Sequence, residues 1–92
     1  MTNEEINALT DEQINEMIEK LTYRSADYCS DAGYMMPIAF DYGISIIKDE
    51  WGNFYAGFAK DDIRGLTIED EFYDRKPCRA AAIVYLKMRE VL

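Results

Sequence analysis

The feature that most constrains this chain is its last nineteen residues, DRKPCRAAAIVYLKMREVL, positions 74–92. Asp74 reads as a helix cap, and Pro77 suits the first turn, where its missing amide would have had no partner. Cys78, Ala81, Ala82, Tyr85, Leu86 and Met88 then form a broad apolar stripe at helical spacing, and Ala80, Ile83 and Val84 cover much of the rest. A helix apolar on most sides has to be buried on most sides. A chain of 92 residues has the length of one domain with one core. The C-terminal helix is therefore expected to be the spine against which the other elements pack. Lys87 and Arg89 return its last turn to solvent and complement the negative end of the helix dipole.

Upstream, Thr10-Asp11-Glu12-Gln13 has the form of a capping box: the threonine side chain caps the first amides and the glutamine reaches back. Ile14, Met17, Ile18 and Leu21 follow at i, i+3, i+4 and i+7, which predicts a helix over 11–21. Ile6 and Leu9 can fold over its start as a staple, with residues 1–9 expected to be partly frayed. Residues 22–29 read as a connection. A second helix is predicted over 31–42, from Tyr34, Met35, Ile38, Ala39 and Tyr42, with Gly43 as its left-handed stop. Pro37 conflicts with it, because a proline inside a helix crowds the carbonyl four residues back, here that of Gly33. A bend or a late start near Pro37 is the expected outcome.

The period then changes. Ile44-Ser45-Ile46-Ile47 is a short β-branched run, Asp49, Gly52 and Asn53 supply turn chemistry, and Phe54, Ala56 and Phe58 alternate along a second strand. Residues 60–73, KDDIRGLTIEDEFY, read as a long acidic loop. Its Ile63, Leu66, Ile68, Phe72 and Tyr73 imply that part of it packs back or that Leu66–Ile68 adds a short third strand. The resulting expectation is a single α+β domain over 1–92: two N-terminal helices, an antiparallel β-hairpin with an optional third strand, and a buried C-terminal helix.

Charge bounds the partners. Residues 1–48 hold nine acids and three bases, 49–74 eight and two, and 75–92 one and five, so an acidic body of −6 and −6 carries a basic tail of +4. The net −8 repels nucleic-acid phosphates and anionic lipid heads and attracts basic protein surfaces. No apolar run approaches the roughly 20 residues that cross a bilayer, and the acidic start, MTNEEINALTDEQ, does not resemble a secretory signal.

Catalytic and metal chemistry find little to work with. There is no histidine, which removes the commonest general base, and the two cysteines, Cys29 and Cys78, make no zinc spacing. Both are expected to be buried apolar residues. The glycines are scattered and form no dinucleotide fingerprint or phosphate loop. Carboxylates are plentiful without the spacing of a calcium loop. A non-enzyme without metal or cofactor is the expectation.

Four segments in order, LTDEQINEMI, YCSDAGYMMPIAFDYGISI, WGNFYAGF and KPCRAAAIVYLKM, resemble the NinX-like small proteins of tailed phages and prophages, relatives of the phage ABA-sandwich domain. The likeness covers most of the chain outside 60–73. It departs at Lys76, where the family often has asparagine before the proline, and at Cys78, where leucine is common. The resemblance implies a phage or prophage origin and the cytoplasm of a bacterial host, and it carries no settled activity.

Four candidate surfaces follow. Asp49, Glu50, Trp51, Asp61, Asp62, Glu69, Asp70 and Glu71 are candidates to meet a host protein with a basic surface, as a counter-defence inhibitor that occupies a nucleic-acid groove would. Tyr23, Tyr28, Tyr34, Tyr55 and Tyr73 are aromatic candidates for a recognition surface beside Trp51, the best placed for exposure. Alternatively, Arg75, Lys76 and Arg79 can grip an anionic small molecule such as a nucleotide signal at the start of the last helix, or pair with the acids of 69–74. A third alternative is a homo-oligomeric module, with the apolar residues of 60–73 as a dimer seam.

Overall fold

The computed structural model describes the backbone of residues 1–62 and 65–92 and the side chains of residues 1–58 and 72–92. The order of elements is α1 (Asn3–Asn7), α2 (Asp11–Thr22), α3 (Ala32–Asp41), β1 (Ser45–Lys48), β2 (Phe54–Asp62), β3 (Gly65–Asp74) and α4 (Pro77–Met88). The fold is α+β: a three-stranded antiparallel sheet in the order β1-β2-β3, with helices gathered on α4.

The C-terminal helix is the spine that the sequence demands. Every residue of α4 from Cys78 to Leu86 is buried, and α4 touches α2, α3 and all three strands. Three consecutive alanines, Ala80–Ala82, are fully enclosed, which lets neighbouring backbones approach the helix on more than one side. Ile14 and Ile18 from α2, Met35 and Ala39 from α3, and Ile44, Ala56 and Phe72 from the sheet side complete the core.

Local signals set the helix starts. Thr10 and Gln13 form the expected reciprocal cap of α2, with N–H···O distances of 3.2 and 2.8 Å. In place of a frayed 1–9, the same device recurs one helix earlier: Thr2 and Glu5 cap α1 reciprocally, and Ile6 is 1% exposed in the core. The cap and that single buried anchor order a segment too short to be a stable helix alone. α3 begins at Ala32 with Asp31 as its cap, so Pro37 lies inside the helix rather than delaying it. Tyr28 and Cys29, in the connection before α3, are fully buried. Asp74 is not the cap of α4: it sits two residues before Lys76, the cap position, and accepts the Lys76 amide at 2.9 Å.

The largest correction concerns 60–73. Instead of a long acidic loop, residues 60–62 continue β2 and 65–73 belong to β3, paired from Phe54↔Asp74 to Asp62↔Gly65, so the optional third strand at Leu66–Ile68 is present and longer than expected. Ile63 and Arg64, and the side chains of 59–71, lie outside the described residues. Ile68, Phe72 and Tyr73 are strand-favouring residue types, and long-range pairing outweighs the low strand propensity of the intervening acids. The register shifts between Ala56↔Phe72 and Phe58↔Glu69, which leaves one extra residue on β3, a bulge.

Pleating gives the sheet two distinct faces. Ile46, Ala56 and Phe72 align across the three strands on the side packed against α4. The next row, Ile47, Tyr55 and Tyr73, points the opposite way.

Candidate interaction surface

The turn between β1 and β2 is built by one carboxylate. Asp49 Oδ1 accepts the amides of Trp51 and Asn53, each at 2.9 Å, and the Asp49 amide donates to the Asn53 carbonyl at 2.8 Å. Gly52 holds φ at +84°, a conformation glycine adopts without strain. Asp49 is thus a turn-forming residue. Its neighbours point outward: Glu50 is exposed, and Trp51 is 78% exposed. An indole left in water by a firmly bonded turn contributes little to the core.

Behind that turn runs the outer row of the sheet. Ile47 is 42% exposed and Tyr73 46% exposed, while the Tyr55 and Tyr73 rings meet with centroids 4.9 Å apart. Tyr73 and Tyr55 were legible as candidate recognition aromatics. Their alignment with Ile47 was not, because it depends on the β2–β3 register. Of the other aromatics, Tyr28 is buried, its hydroxyl donating to the Arg24 carbonyl at 2.6 Å. Asp61 and Asp62 fall on β2, and Glu69, Asp70 and Glu71 on β3; the side chains of all five lie outside the described residues.

The basic cluster at the start of α4 is organised inward. The Arg79 side chain donates from Nη1 to Asp11 Oδ1 at 2.7 Å, from Nε to Asp74 Oδ2 at 3.1 Å, and from Nη2 to the Leu9 carbonyl at 2.8 Å. Lys76 Nζ bonds Asp11 Oδ2 and, at 3.2 Å, the Ser30 hydroxyl. Arg79 is 7% exposed, so a buried cation is matched by two carboxylates and the Leu9 carbonyl between α1 and α2. The cluster pairs with acids, as the alternative to ligand binding anticipated: Asp74 belongs to the 69–74 segment expected to supply them, and Asp11 comes from outside it. Only Arg75 of the three is exposed. This arrangement gives Lys76 and Arg79 a structural task, locking the start of α2 to the start of α4, and removes Arg79 from reach of a bound anion.

Protonation follows from those contacts. Burial by itself would raise the Asp11 carboxyl, but the hydrogen bonds and charges of Lys76 and Arg79 outweigh it and hold Asp11 below its ordinary value. The Asp11 hydrogen bond likewise holds Lys76 above its ordinary value. Cys29 is pushed up to about 12, first by burial and then by the Asp11 charge, and burial also raises Cys78. Both thiols are buried and free, as expected of packing residues. Among the described residues no three acids or thiols converge where a cation would sit, and no helix is long and apolar enough to cross a membrane.

Comparison with protein-family profiles, curated proteins and solved structures finds no match to this chain. The NinX-like resemblance accordingly rests on the four sequence segments alone.

Proposed function

We propose that the chain is a non-catalytic, phage-encoded accessory protein that binds a host protein through the outer face of its sheet and the adjoining turn. The observation that carries this reading is the exposure of Ile47 and Tyr73 in the outer row of the sheet together with that of Trp51 in the hydrogen-bonded turn joining β1 and β2. Interfaces are anchored by rigid aromatic side chains with a polar rim, and here the rim sequence is acidic: Glu50 in the turn, and Asp61, Asp62, Glu69, Asp70 and Glu71 on the two longer strands. A partner of basic surface fits a chain of net charge −8. Counter-defence is the purpose such chemistry suits, because an acidic face can occupy the groove through which a nuclease or CRISPR complex holds nucleic acid. The NinX-like resemblance supports the phage origin and the bacterial cytoplasm as its setting.

The test is affinity capture from phage-infected or lysogenic cells, followed by reconstitution with the purified partner. Trp51→Ala and the triple change Glu69→Gln, Asp70→Asn, Glu71→Gln should each weaken the reconstituted complex, and added salt should weaken it further. A complex indifferent to salt and to both variants sinks the proposal.

A further inference from the structure

The end of α2 and the first turns of α3 enclose a cleft of about 470 Å³ whose lining includes Tyr23, Arg24, Tyr28, Gly33, Tyr34 and Pro37. Its lining contains one charged residue, Arg24, and no acid. A concavity of similar size along α2, about 510 Å³, is lined by Asp11, Glu12, Glu16, Glu19 and Asp27, and a third, beside β1, has no charged lining residue. Of these three concavities, the Tyr23–Tyr34 cleft alone has a positively charged lining.

Two of its residues have side chains that neither the core nor the ion pairs of the described residues use. Tyr23 closes α2 with φ at 59° and ψ at 27°, the left-handed conformation that glycine takes most readily. Its ring is nevertheless 92% exposed, so the strained backbone is not offset by packing. Arg24 lies with its guanidinium carbon 5.9 Å from the centroid of the Tyr34 ring and, among the described residues, forms no salt bridge. The neighbouring carboxylates are bonded elsewhere: Asp31 Oδ1 accepts the Gly33 amide at 2.9 Å, and Asp27 Oδ1 accepts from Asn15 at 3.0 Å. Tyr34 is itself held edge-on against buried Tyr28, with centroids 6.4 Å apart, so its ring is a fixed wall.

We infer that this cleft binds a planar aromatic anion of the nucleoside-monophosphate class, its base against Tyr34 and Tyr23 and its phosphate on Arg24. Aromatic faces stack on any base, and a guanidinium fork matches phosphate oxygens. The site lies away from Arg75, Lys76 and Arg79 in the sequence and is independent of whether the sheet face meets a protein.

Titration of the 15N-labelled protein with AMP, adenosine and inorganic phosphate, followed by amide shifts, tests it. AMP should move the amides of Tyr23, Arg24, Gly33 and Tyr34, with adenosine about tenfold weaker, the worth of one charge-assisted contact. Arg24→Gln should weaken AMP by about the same factor and leave adenosine unchanged. Tyr23→Gly is the decisive variant: glycine accepts the left-handed backbone, so Tm should rise while AMP and adenosine both weaken. A purely structural tyrosine cannot give that pair of results. Amides unmoved by AMP, GMP, CMP and UMP overturn the inference, as does phosphate binding as tightly as AMP, or Tyr23→Gly with unchanged affinity.

Discussion

The start of α4 and the β1–β2 turn each contain an aspartate that organises backbone, yet they use their surroundings in opposite ways. At α4, Asp74 and Asp11 draw Arg79 to 7% exposure and leave a charged cluster facing inward. At the turn, Asp49 accepts two amides and leaves Trp51 at 78% exposure with Glu50 beside it. The first region converts charge into fold. The second secures the backbone locally and presents an aromatic ring that the fold does not use. Substitutions in the two regions should therefore separate stability from binding.

The largest effect is expected at Arg79. Its guanidinium joins Asp11 on α2, Asp74 before α4 and the Leu9 carbonyl. Arg79→Ala leaves both carboxylates without their buried partner and opens space under them. Breaking such a pair costs about 4 kcal/mol. Urea denaturation should show a lower midpoint with an unchanged slope. A loss under about 1 kcal/mol would mean that the cluster is a surface ion pair and that the contrast between the regions is false.

This clamp also marks where reading the sequence stops. The burial of α4 was legible because Ala80–Leu86 is apolar on every side, a property of seven adjacent residues. The α2 cap was legible because Thr10 and Gln13 are three residues apart. Thr2 and Glu5 carry the same signature, and position at a terminus hid it. Arg79 and Asp11 are 68 residues apart, and nothing local to either says which carboxylate the arginine will meet. The third strand was legible only as the short option at Leu66–Ile68, and its full span, Gly65–Asp74, and its register were missed for a different reason. Asp and Glu are depleted in strands, so Asp61-Asp62 and Glu69-Asp70-Glu71 argued for a loop, while the long-range pairing that overrides propensity leaves no local trace. Without the register of β3 there is no outer row, so among the aromatics only Trp51, whose turn is local, was identified as exposed from sequence.

A smaller effect is expected from Asp11, and it depends on pH. Its carboxyl lies below the ordinary value in the folded chain, so the folded state holds that proton less tightly than the unfolded state. The stabilisation is present above the unfolded value of about 4 and is lost as pH falls through the lower folded one. Asp11→Asn should cost about 2 kcal/mol at neutral pH, less than Arg79→Ala because Arg79 keeps Asp74 and Asp11 is partly solvated. The gap between wild type and Asp11→Asn should close as pH is lowered below about 4. Melting curves at several pH values measure it. A gap that persists in acid would show that the variant acts through packing and not through the carboxylate's charge.

The smallest stability effect is expected at Trp51, and its smallness sharpens the comparison most. The turn around it is held by the Asp49 carboxylate and by main-chain contacts, none of which uses the indole. With the ring largely in water, Trp51→Ala should change unfolding free energy by less than about 0.5 kcal/mol, whereas Asp49→Ala, which strips two amides of their acceptor, should cost about 1–2 kcal/mol. Adjacent substitutions would then give opposite results: Asp49→Ala lowers the melting temperature, and Trp51→Ala leaves it in place while weakening any complex made through this face. If Trp51→Ala destabilises the chain as much as Asp49→Ala does, the indole is part of the packing. The outer face then loses its most exposed anchor, and with it the physical distinction between a region that holds the fold together and one left available to a partner.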